Sequence, residues 1–181
     1  MKNQFPCYRW LRPLHVLFLL ALAMAEEKSP LEKGRLLVGL SPTTDANRWG
    51  MTREIKEALI ESGAHSIRIP NHGTLEVIDD NVSFAASNSI SVLFMLGYQE
   101  SKAFGDVGSP ANEAGRQEYA DRAARIAKHF GNSVLLYEVW NEWTGGMGLG
   151  VSWDKAPAVE PAIYVDLLRR VHTELKKVNP Q

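Results

Sequence analysis

The stretch Val134-Leu135-Leu136-Tyr137-Glu138-Val139-Trp140-Asn141-Glu142-Trp143 changes character at Asn141. From Val134 to Trp140 it is a nearly unbroken apolar run, the pattern of a buried β-strand. A carboxamide and a carboxylate follow side by side. A glycine-rich loop then spans Thr144 to about Pro157. Glu138 lies two residues before Trp140, so strand alternation predicts that they share a face. If that face is an interior, Glu138 needs a partner, and Arg68 is the obvious candidate.

Working outward, the same unit recurs. Upstream, Tyr119, Ala123, Ile126, Ala127 and Phe130 fall at helical spacing, with Gly131 as the stop. Downstream, Ile163, Leu167, Val171, Leu175 and Val178 mark a last helix, ended by Asn179-Pro180. Ile90 to Leu96 reads as a strand buried on both sides, and His65 to Ile69 as another, closed by Pro70. Between them lies a helix carrying Leu75, Ile78, Val82 and Ala85. Arg35 to Leu40 reads as the first strand. Met51, Ile55, Ala58, Leu59 and Ser62 then mark a helix with Gly63 at its C-terminal cap. A long loop runs from Gly97 to about Ala111.

The order is βαβαβαβα, an α/β pattern. Apolar strands separated by amphipathic helices predict a parallel sheet covered by helices, with right-handed crossovers. Four such units make either a small open sheet or half of an eight-stranded barrel. The pattern alone does not choose between them.

The segment Tyr137 to Trp143 resembles the fourth-strand signature of the clan A glycoside hydrolases, the superfamily of cellulases, mannanases and β-xylosidases. There an Asn-Glu pair, often preceded by Trp, ends strand four. Ser66-Ile67-Arg68-Ile69-Pro70 looks like the second strand of that family, and EYADRAARIAKHFGNSVLLYEVWNEW like its third helix and fourth strand. The resemblance runs from about Arg35 to Pro180. It implies a TIM-barrel fold, (β/α)8, of which this sequence holds the first four βα units, a half barrel. It implies retaining hydrolysis of O-glycosidic bonds in a β-linked oligo- or polysaccharide, without cofactor. The implied roles are acid/base for Glu142, contact with the sugar 2-hydroxyl for Asn141, and support of the catalytic carboxylates for Arg68. The family's nucleophile, a glutamate ending strand seven, has no counterpart by motif here.

The chemistry of the residues agrees. Active sites of such barrels lie at the C-terminal ends of the strands, and Glu142 follows such an end. One carboxyl group must first protonate the leaving oxygen and then, ionised, activate water. Desolvation by Trp140 and Trp143 favours the protonated form. Trp140, Trp143 and His72 are candidate substrate contacts. Trp49, Tyr98, Phe104 and Trp153, in or beside loops that follow strands, are further candidates for stacking on sugar rings; for any one of them, packing of its loop is the alternative. His65, His129 and His172 do not cluster, so no metal site is expected.

The first 25 residues read as a signal peptide. Lys2, Arg9 and Arg12 precede an apolar run from Leu14 to Leu22, and Ala23-Met24-Ala25 offers a cleavage site. An uncleaved anchor or a core strand is the alternative. Cleavage leaves residues 26–181 as the N-terminal half of a catalytic barrel, truncated after its fourth helix, and predicts a secreted or periplasmic protein. The only cysteine, Cys7, lies within that leader, so thiol chemistry is excluded from the remainder. Formal net charge is −1, with basic residues scattered among acids, so nucleic acid is not an expected partner. Carbohydrate is the expected partner, with no membrane contact after cleavage and with self-association through open sheet edges.

With one catalytic carboxylate recognisable, this chain alone is expected to be a poor or null catalyst. Two other readings stay open: a non-catalytic carbohydrate-binding or inert barrel fragment, and an unrelated open αβ solute-binding lobe.

Overall fold

Parallel strands in sequential order, β1-β2-β3-β4, form one sheet. The computed structural model describes residues 39–40, 50–97, 104, 110–141, 143 and 160–180. These all belong to the unit Leu37–Gln181. Residues 1–25, most of the first expected strand, Trp49, Tyr98, Glu142 and Trp153 lie outside the described residues.

The strands are β1 (Gly39–Leu40), β2 (Ser66–Pro70), β3 (Ser91–Met95) and β4 (Leu136–Glu138). The helices are α1 (Arg53–Glu61), α2 (Leu75–Ser87), α3 (Glu113–Phe130) and α4 (Pro161–Val178). Helix starts follow from local chemistry. Thr52, Thr74 and Asn112 each accept a backbone N–H of the first turn through the side chain. α4 begins with Pro161, whose missing N–H is no loss there. Ser62 caps the C-terminus of α1, and Gly63 follows at φ +66°, a conformation costly for any residue with a Cβ.

The helices cover one face of the sheet. Ile67, Ile69, Val92 and Phe94 point into a core completed by Leu59, Ile78, Val82, Ala85, Tyr119, Ile126, Leu167 and Val171. The opposite face carries Arg68, Leu93 and Glu138, half-buried, and Leu136, 43% exposed. The expectation that the third strand is buried on both sides holds on this face at Met95, 5% exposed, and fails at Ser91 and Leu93. Leu93 stays half-exposed because no helix among the described residues packs over it. Ala58 and Val178, expected on buried helix faces, are exposed.

Candidate active site

Arg68 leaves β2 on the uncovered face and reaches over β3. Its Nε donates to Glu138 Oε2 at 2.6 Å and its Nη2 to Glu138 Oε1 at 2.8 Å. The strand register explains the reach. Arg68 is level with Leu93 and Glu138 with Met95, so the two side chains lie two strands apart, about 10 Å. A guanidinium spans that gap and meets a carboxylate with two parallel bonds. The Met95 thioether sits beneath, 2.8 Å from Nη2. Nη2 also donates to Asn141 Oδ1 at 3.3 Å. One arginine thus ties together a strand carboxylate and the carboxamide that follows β4. Glu142, the next residue in sequence, lies outside the described residues.

The chain turns sharply between Glu138 and Asn141. Trp140 has φ +67°, a left-handed conformation that for a bulky residue costs about 1–3 kcal/mol. The turn is held from the helix side. Tyr119 OH accepts the Trp140 N–H at 3.1 Å and donates to the Gly97 carbonyl at 3.1 Å. Tyr164 OH donates to the Val139 carbonyl at 3.0 Å. Such bonds contribute about 0.5–1.5 kcal/mol each, enough together to offset the strain.

Because of this turn, Glu138 and Trp140 do not share a face. Glu138 points to the uncovered side. Trp140, 1% exposed, packs among helix residues against Tyr119. Trp143 is likewise buried, at 7% exposed, between Trp140 and Tyr164. Among the described residues, both indoles expected to contact sugar pack against Tyr119, Tyr164 and each other. Phe104, half-buried, packs on His129 and Phe130.

His72 is buried just after β2, its N–H donating to the Pro70 carbonyl at 2.9 Å. Beside it, Asn71 is buried and donates its side-chain amide to the Leu96 carbonyl at 3.3 Å. Arg122, 1% exposed on α3, donates to the carbonyls of Leu96 and Gly97 and lies over the Tyr119 ring. Desolvation lowers its pKa, the neighbouring phenol opposing the shift. Sequence reasoning missed Asn71, Tyr119 as a hydrogen-bonding group, Arg122 and Tyr164. Arg122 left one usable signal: it sits directly before Ala123 in a helix whose buried stripe it borders.

Burial raises the pKa of both tyrosines at the turn, with the Glu138 charge adding to the effect on Tyr164. Both hydroxyls therefore stay protonated and able to donate at neutral pH.

No protein-family model matches the sequence, and no curated protein matches it. Solved structures that resemble the fold include two glycoside hydrolases. One is a family 39 glycoside hydrolase from the gut symbiont Bacteroides cellulosilyticus WH2. It shows 24% identity over 79% of this chain and 29% of that one, with a TM-score of 0.51. The other is a psychrophilic glycoside hydrolase family 10 endo-β-1,4-xylanase. It shows 12% identity over 82% of this chain and 51% of that one, with a TM-score of 0.51. At these identities the likeness is one of fold. The chain spans under a third of the first structure's length and about half of the second's.

Proposed function

We propose that the chain carries the first four βα units of a (β/α)8-barrel glycoside hydrolase acting on β-linked oligo- or polysaccharide. Two features favour a barrel over an open αβ lobe. The strands run in sequential order, and among the described residues the helices pack on one face. Doubly wound open sheets reverse their order and carry helices on both faces. The uncovered face, with its half-buried arginine and carboxylate, is then the barrel interior. The two solved structures described above are glycoside hydrolases.

The observation that carries the reading is the junction of Arg68 with Glu138 and Asn141 at the C-terminal end of β4. Active sites of such barrels lie there. Asn141 is assigned to a sugar hydroxyl, Glu142 to proton transfer with the leaving oxygen and then with water, and His72 to the cleft wall. Arg68 fixes the geometry through Glu138. Retention needs a second carboxylate about 5 Å from Glu142, and no motif within this chain supplies it.

The test is hydrolysis of aryl β-glycosides by residues 26–181 beside Glu142→Gln. Slow turnover that falls further in the variant supports the assignment. Turnover indifferent to Glu142 removes it. Fast turnover abolished by Glu142→Gln would place a second carboxylate within the chain, Glu100 and Asp106 being the first to substitute.

A further inference from the structure

Val139 and Trp140 share one peptide unit, and a phenol holds each end of it. The Val139 carbonyl accepts from Tyr164 OH at 3.0 Å, and the Trp140 N–H donates to Tyr119 OH at 3.1 Å. The phenols come from different helices, α4 and α3. We propose that Tyr119 and Tyr164 are positioning residues whose hydroxyls grip the Val139–Trp140 peptide and thereby set Asn141 against Arg68. The functional consequence rests on the site proposed above; the conformational consequence rests on geometry alone.

The geometry separates the work of the rings from that of the hydroxyls. The rings form a run, Tyr119 on Trp140 at 5.6 Å, Trp140 on Trp143 at 5.6 Å and Trp143 on Tyr164 at 5.2 Å. Phenylalanine at both positions would keep that packing. The hydroxyls do something packing does not require. A peptide continuing the ladder would direct its N–H and C=O to neighbouring strands. Here both groups meet side chains from the helix layer instead, so β4 stops at Glu138. The next backbone rotation takes Trp140 to φ +67°, Trp140 turns towards the helices, and Asn141 Oδ1 comes within 3.3 Å of Arg68 Nη2.

Tyr119 is itself fixed. It uses both capacities of its hydroxyl, accepting from Trp140 and donating to Gly97. The Arg122 guanidinium lies 4.9 Å from its ring centroid and donates to Leu96 and Gly97. The ends of β3 and β4 are thereby held to one helix. Asn141 is thereby placed by groups from the helix side of the sheet.

The experiment compares the wild-type full chain with Tyr119→Phe, Tyr164→Phe and the pair, using Tyr137→Phe as a control that removes a hydroxyl elsewhere. Two readouts are taken by NMR. The intraresidue amide-to-Hα Overhauser effect of Trp140 is strong only while its φ is positive. A titration with xylotetraose reads binding at Asn141. The pair is expected to lose about half or more of the Trp140 effect, and to bind xylotetraose about tenfold more weakly, the equivalent of one or two hydrogen bonds. The control is expected to change neither. If the pair does not fold, the single variants decide, each removing one hydroxyl and no packing. A variant that keeps the wild-type Trp140 effect and Asn141 signals overturns the proposal. If the wild type binds neither xylotetraose nor any other β-linked oligosaccharide, the sugar-site reading fails, and the Trp140 effect still decides the role of the tyrosines.

Discussion

Arg68 and Glu138 face each other across an intervening strand, joined by two bonds of 2.6 and 2.8 Å. Each side chain is about 30% exposed, at 30% and 29%, so solvent screens the pair only in part. Arg68→Lys keeps the charge but replaces a fork by a point donor. It is expected to cost about 1 kcal/mol in urea unfolding and to release Asn141, seen as a change in its side-chain amide signals. A silent substitution would show that charge alone, not bidentate geometry, matters here.

Tyr137→Phe should leave stability unchanged or raise it slightly at neutral pH. The Tyr137 hydroxyl is buried with no hydrogen-bond partner among the described residues, so its removal relieves a desolvated polar group. Burial pushes its pKa up to about 12 from the ordinary 10. A folded-state pKa above the unfolded one gives stability that is complete below pH 10 and lost as pH rises through 12. Alkaline unfolding curves of wild type and variant should therefore diverge in that window, the variant losing less. Parallel curves would contradict the burial of this hydroxyl.

α3 and α4 are tied by Asp166, which accepts from Arg116 Nε at 2.6 Å and Arg170 Nε at 3.0 Å. Those bonds hold its pKa below the usual 3.8. The sign follows: a depressed carboxylate stabilises above its unfolded pKa, and the effect is lost as pH falls through the folded value. Asp166→Asn should lower the thermal midpoint near neutrality, and the difference from wild type should shrink below pH 3.8. A difference that persists unchanged in strong acid would assign the loss to packing.

Much of this fold is legible in the sequence because its signals are local. The buried stripe Tyr119, Ala123, Ile126, Ala127 and Phe130 and the stop at Gly131 define α3 without help from elsewhere. The second strand shifts by only one residue at each end, from His65–Ile69 to Ser66–Pro70. The Arg68–Glu138 pair was also legible, since a carboxylate in an apolar strand demands a cation. The turn at Trp140 was not. Strand periodicity assumes that alternation continues, and two hydroxyls distant in sequence end it. Once the turn is made, Trp140 faces the helices, and the aromatic flank that reads as a sugar platform becomes core. Arg122 escaped for a related reason: hydropathy places an arginine in solvent, whereas this one satisfies carbonyls where β3 ends.

Under the proposed function, a β-linked sugar binds at the C-terminal ends of the strands, beside Asn141 and Glu142. The most direct test of this binding maps chemical-shift changes across the chain during titration with β-1,4-linked oligosaccharides. Saturable changes are expected at Arg68, His72, Asn141 and Glu142, with a Kd of about 1–10 mM, lost in Asn141→Ala. Changes confined to the opposite strand ends, at Ser66, Ser91 and Leu136, or no changes with any β-linked sugar, would contradict it.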